Sequence, residues 1–147
     1  FKILIVLLTP IIVELLRKYI LFSNFWFVLL DFVLVIIFTL MYDTIYALCD
    51  FEDDAYIGVH SSARFFGRAV KPIIVLLQCC VVLMWLGLLV MYSVLEIYTI
   101  VSLLLVVLLF MYQYYLMRQG VASKYLAAFA NNALVGALLW LGLVLQF

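Results

Sequence analysis

FWFVLLDFVLVIIFTLMYDTIYAL, residues 25–48, carries a single internal charge, Asp31, before an acidic run begins near its C-terminal end. A helix crossing the hydrocarbon core of a bilayer needs about 20 mostly apolar residues, and this stretch supplies them. The whole chain of 147 residues is 71% hydrophobic and 11% charged, with a mean hydropathy of +1.38. A soluble domain of this size cannot bury such a composition, whereas a bundle of membrane helices is solvated by lipid along its outer faces. The sequence therefore reads as all-α, a polytopic transmembrane helix bundle forming a single membrane domain over 1–147.

Outward from residues 25–48, the remaining apolar runs predict spans at roughly 3–22, 73–92, 95–117 and 125–147, about five in all. The first contains Pro10, Glu14, Arg17 and Lys18; proline kinks a membrane helix without ending it when neighbouring groups re-satisfy the backbone. Between the second and third runs lies a polar linker, residues 60–71, with Arg64, Arg68 and Lys71 and the breakers Gly67 and Pro72. The turn near Ser93 is tight, and 118–124 forms a short basic loop around Gly120. With five spans, Lys2, Arg64, Arg68, Lys71, Arg118 and Lys124 share one side and Arg17 and Lys18 the other, six against two. The excess of basic residues in short loops puts the acidic segment, 43–71, on the cytoplasmic or matrix side of a bacterial or mitochondrial inner membrane. A formal net charge of zero gives no electrostatic case for nucleic acid. Cys49, Cys79 and Cys80 have no metal-ligand spacing and read as packing residues. The chain starts at Phe1 and its first segment lacks a signal-peptide cleavage site, so it is expected to be a piece of a longer protein.

The chemistry concentrates in residues 42–62, YDTIYALCDFEDDAYIGVHSS, which hold Asp43, Asp50, Glu52, Asp53 and Asp54, five of the 8 acidic residues. A carboxylate at the centre of a lipid-facing helix costs about 2.5–3.5 kcal/mol, so this group needs a cation, a cavity or the water interface. On one continuous helix Asp43, Asp50 and Asp54 fall within roughly 40° of one another, with Tyr46 and Asp53 beside them and Glu52 opposite. Asp50 and Asp54 are then one turn apart, a rise of about 6 Å. Two hard oxygen ligands that leave coordination places open suit Mg²⁺ held jointly with a phosphorylated substrate. An acidic helix end in a solvated loop accounts for the same spacing, and the residues alone leave the two readings open.

Asp43-x-x-Tyr46-Ala47-x-x-Asp50-x-x-Asp53-Asp54-x-x-x-Gly58-x-x-Ser61 resembles the second aspartate-rich motif of the UbiA superfamily of intramembrane prenyltransferases. More narrowly, YDTIYA, DFEDD and IGVHSSARFFG resemble the 4-hydroxybenzoate polyprenyltransferases within it, as do Tyr112-Gln113, Arg118 and AFANNALVG with Asn131, Asn132 and Gly136. The resemblance spans about residues 42–142. It implies a nine-helix fold of which this chain is helices five to nine, with Asp50 and Asp54 as catalytic residues binding Mg²⁺ on the diphosphate of a polyprenyl donor. Asp53 is a further metal ligand under that implication, and Asp43 matches another acid of the motif. The chain departs from the pattern at His60, where lysine is common, and it holds no first aspartate-rich motif. The resemblance therefore implies that the N-terminal half of the enzyme completes the site, and that this chain alone is inactive.

The implied reaction is Mg-dependent transfer of a polyprenyl chain from polyprenyl diphosphate to 4-hydroxybenzoate, in ubiquinone biosynthesis, at the lipid bilayer. Tyr46 is expected to orient the diphosphate, and Arg64 and Lys71 to grip the diphosphate or the benzoate carboxylate. Asn131 is expected to meet substrate. Each has a plainer role: Tyr46 and the tyrosines at 112, 114 and 115 as interface anchors, the basic residues as topology markers, the asparagines as bonds between helices. Two other classes remain: a divalent-cation channel or transporter, which wants acids lining a path across the bilayer, and a non-catalytic membrane subunit.

Overall fold

Lipid offers a peptide group no hydrogen-bond partner, so a chain this apolar must satisfy its backbone within each crossing segment. A computed structural model of the chain describes residues 25–145, and there every regular element is helical. The expected first span, 3–22, lies outside the described residues. Helix α1 runs Phe25–Ala47, α2 Phe51–Ile57 and α3 Ser62–Phe66. A 3₁₀ turn at Gly67–Ala69 leads into α4, Val70–Met91, followed by α5 Ile97–Arg118, α6 Ala122–Ala130 and α7 Asn132–Val144. Four segments among the described residues are long and apolar enough to cross a membrane: Phe27–Ala47, Ser62–Met91, Ile97–Arg118 and Ala122–Val144. The chain is an integral membrane bundle.

Three local features differ from the sequence expectation. The acidic stretch is two helices and not one, because α1 ends at Ala47 and its last carbonyls bond in tight turns, Cys49 N–H to Tyr46 O at 2.8 Å and Leu48 N–H to Ile45 O at 3.3 Å. The angular stripe linking Asp43 to Asp50 and Asp54 therefore does not hold across the break. Residues 60–71, expected as a linker, are largely helical, and α4 starts at Val70 with Pro72 in its first turn. There the missing proline N–H is one that no helix partner would use. The last span is interrupted at Asn131.

α1 packs against α4 and α6, and α5 against α7, α6 and α4. Met41, Ile45, Ile74, Val81, Val106, Met117, Ala128 and Val135 fill the shared core. Phe32, Val35, Leu76, Leu83, Leu104 and Leu108 stay exposed on the outside, a surface suited to hydrocarbon and not to water. Alternation of direction gathers the end of α1, the starts of α4 and α6, and the end of α5 at one end of the bundle. At the other end Tyr92 Oη donates to Asp31 Oδ2 at 2.8 Å. The internal acid of α1 is thereby tied to the end of α4. Next to it the chain turns through Ser93 at φ 54°, and Glu96 N–H donates to Thr99 Oγ1 at 2.9 Å to start α5.

Candidate functional site

The acids of α2 sit where helix electrostatics favours them. Asp50 is its N-cap residue, its carbonyl accepting from Asp54 N–H at 2.7 Å, and Glu52, Asp53 and Asp54 occupy the first turn. Negative charge at a helix N-terminus is stabilised by the orphan N–H groups and the macrodipole. The C-terminal end is closed by Gly58 at φ 77°, a left-handed conformation that glycine adopts without steric cost. Arg64 of α3 completes it. Its Nη1 donates to Asp54 O at 2.9 Å and to Val59 O at 2.6 Å. A cation on the Asp54 carbonyl of α2 and on the Val59 carbonyl just past its end complements the acids on its first turn.

Asp50 and Asp54 are half-buried, while Glu52 and Asp53 are exposed. Asp43 and Tyr46 lie on the last turns of α1, both exposed and separated from α2 by residues 48–50. The structure thus brings Asp50, Asp53 and Asp54 together and holds Asp43 on the adjoining helix. Among the described residues no three carboxylate, histidine or cysteine side chains form a metal cage. None of the five acids has an ion-pair partner among the described residues. Cys49, between the two helices, has its thiol pushed above its usual range by burial first and by the negative charge of Asp50 second.

Aromatic contacts fix the position of α1 against α6. The Phe129 ring centroid lies 5.1 Å from that of Tyr46 and 6.0 Å from that of Tyr42. Lys71 Nζ sits 5.7 Å from the Tyr125 ring centroid, a cation–π distance, so it joins the start of α4 to α6. Asn131 is half-buried at the α6–α7 break, where its N–H donates to Ala127 O at 3.1 Å. Beside α3 an open groove of about 530 Å³ is lined by Leu40, Phe65, Phe66, Arg64 and the run His60, Ser61 and Ser62. Two features escape sequence reasoning: the capping role of Arg64, and Gln78 of α4, whose amide pairs with Gln113. The signal for Gln78 is its isolation, the one amide in an otherwise apolar span.

A model of the UbiA prenyltransferase family matches residues 3–144, nearly the whole chain. The chain belongs to the UbiA prenyltransferase family. Similar curated proteins include a 4-hydroxybenzoate octaprenyltransferase of Hahella chejuensis, 43% identical over 115 residues, covering 76% of this chain and 37% of that protein. Another, of Vibrio vulnificus, is 42% identical over 124 residues, covering 83% of this chain and 43% of that protein. One of Blochmanniella pennsylvanica is 38% identical over 120 residues, covering 79% and 40% respectively. The chain thus spans about two-fifths of the length of the curated relatives it matches. No solved structure matches it significantly. UbiA-family prenyltransferases are generally dependent on a divalent metal.

Proposed function

We propose that the protein carrying this chain transfers a polyprenyl group from polyprenyl diphosphate to 4-hydroxybenzoate, as the names of its relatives describe for them. The observation that carries the proposal is the segment from Asp43 to Asp54, an acidic group of the family's pattern left without an internal cation at the end of a membrane bundle. Its donor set fits Mg²⁺. Asp50 and Asp54 are hard oxygen ligands one helical turn apart, and Mg²⁺ is typically held by one or two carboxylates together with substrate phosphates. In this reading Asp50 and Asp54 would hold the ion, with Asp53 as a further ligand, and bound Mg²⁺ would supply charge neutralisation to the departing diphosphate.

The remaining work falls to the chain itself. The Tyr46 hydroxyl, exposed beside the acidic turn, hydrogen-bonds a diphosphate oxygen, and Asp43 lines the same end. Arg64, besides capping α2, offers its other guanidinium N–H groups to the diphosphate, and Lys71 and Asn131 bind the aromatic acid. As the allylic C–O bond breaks, the apolar bundle keeps water from the allylic cation. The aromatic carbon ortho to the hydroxyl forms the new C–C bond, and loss of its proton restores the ring. The acidic end faces the cytoplasm or matrix of an inner membrane, as the basic residues Arg64, Arg68, Lys71, Arg118 and Lys124 in the connecting segments favour. The half-site needs the N-terminal half of the protein, so this chain alone is inactive. A channel reading is weaker, since the acids cluster at one end instead of lining a path.

The test is product analysis in membranes holding the complete protein with this segment. Prenylated 4-hydroxybenzoate formed in step with released diphosphate is the expected result, and none from residues 1–147 alone. Prenyl transfer by the isolated chain overturns the half-site claim, and no transfer by the complete protein overturns the reaction.

A further inference from the structure

Three primary amides are buried in the middle of this apolar bundle: Gln78 at 4% exposure, Gln113 at 0% and Asn132 at 7%. A buried amide is costly unless its donors and acceptors are matched. These are matched in one direction. Gln78 Nε2 donates to Gln113 Oε1 at 2.8 Å, and Gln113 Nε2 donates to Asn132 Oδ1 at 3.3 Å. Asn132 Nδ2 in turn donates to Phe129 O at 3.0 Å and Ala128 O at 3.4 Å. The relay starts on α4, crosses α5 and ends on the backbone of the last turn of α6. A side-chain amide competing for helix carbonyls loosens the helix locally, and the break at Asn131 sits there.

The residue whose carbonyl receives the relay is the residue whose ring touches the candidate site. Phe129 stands 5.1 Å from Tyr46 and 6.0 Å from Tyr42, centroid to centroid. We infer that Gln113 is a positioning residue for Tyr46: by holding the Asn132 amide on the α6 carbonyls it fixes the α6–α7 break, and through Phe129 it sets the pose of the Tyr46 ring at the end of α1. Gln113 is the member on which the relay turns, accepting from one helix and donating to another. Replacing it with an apolar side chain leaves Asn132 Oδ1 without its donor and frees the asparagine to rotate off α6. That the pose matters for catalysis rests on the function proposed above; the pose itself does not.

Site-specific 3-fluorotyrosine at position 46, in the full chain in lipid nanodiscs, reports the pose through the ring current of Phe129. Phe129→Leu is expected to displace the ¹⁹F resonance and to mark the full effect. Gln113→Met, a near-isostere without hydrogen bonds, is expected to give at least about half of that displacement. Gln113→Glu at about pH 5, where a buried carboxyl is protonated and offers the same donor and acceptor, is expected to keep the native resonance. A Gln113→Met resonance at the native position overturns the inference, as does a Gln113→Glu resonance displaced as far as that of the Met variant. Should Gln113→Met fail to fold, Asn132→Ala must give the same displacement, and a native position there is equally fatal. In the complete protein Gln113→Met is expected to raise the KM for the diphosphate donor about fivefold and leave that for the aromatic acid unchanged. Inactivity of the unsubstituted protein would remove the functional reading while leaving the resonance test standing.

Discussion

Gly142 of α7 faces Ser102 of α5 at the end of the bundle remote from the acidic segment, and the contact leaves no room for a methyl group. A Cβ built on Gly142 comes 2.6 Å from Ser102 Cβ and 3.3 Å from the Tyr98 carbonyl oxygen, and it also meets Ser102 Oγ. Rotating the hydroxyl away relieves only the last contact, and it breaks the Ser102 Oγ–H bond to Thr99 O at 2.9 Å. The Cβ and the carbonyl are fixed by the backbone, so Gly142→Ala must push α5 and α7 apart. Overpacking of this kind costs about 1–3 kcal/mol. Gly136, on the same helix, has nothing within 4 Å of an added Cβ, and Gly136→Ala should be neutral or gain up to about 1 kcal/mol from helix propensity. Denaturant titration of the chain in mixed micelles measures both. Ser102→Ala, which keeps its Cβ, should restore little of the Gly142→Ala loss, whereas Ser102→Gly should restore most of it. Equal stability of Gly142→Ala and Gly136→Ala would refute the close approach of α5 and α7.

Arg64→Lys keeps the charge but reaches only one of the two carbonyls, of Asp54 and Val59, that Arg64 holds at the end of α2, and it should cost about 1 kcal/mol locally; faster amide exchange at Gly58 and Val59 reports it, and unchanged exchange excludes the cap. The raised Cys49 thiol should alkylate more slowly than an exposed cysteine near pH 8, because less of it is thiolate, and its rate should climb as pH rises toward its own pKa. Asp50→Asn removes the second of the two causes and lowers that pKa, so alkylation at fixed pH should quicken in a chain with Cys79 and Cys80 replaced by Ser. A slower rate would contradict the coupling.

Much of the fold is legible in the sequence because apolar runs bounded by charges have one physical outcome in lipid. Spans expected at 25–48 and 95–117 compare with helices Phe25–Ala47 and Ile97–Arg118. What is not legible depends on contacts distant in sequence. The break after Ala47 follows no proline or glycine, and the α6–α7 interruption sits where the Asn132 amide bonds the Ala128 and Phe129 carbonyls while accepting from Gln113 of another helix. Residues 62–69 look like linker because Arg64, Gly67 and Arg68 are polar or flexible, yet Arg64 serves the helix before it. The acidic residues stand out at once because charge is scarce in this chain. Their division between two helices, and the Phe129 ring against Tyr46, come only with the packing.

Whether Asp50 and Asp54 hold a divalent cation on a prenyl diphosphate is read by a magnesium titration of diphosphate release in membranes with the complete protein. Release dependent on Mg²⁺ and matched by prenylated 4-hydroxybenzoate is the expected result. Asp50→Asn or Asp54→Asn should each lower kcat/KM at least about a hundredfold, roughly 2.7 kcal/mol of transition-state stabilisation. Release that persists at the native rate in either variant, or that needs no divalent ion, would contradict it.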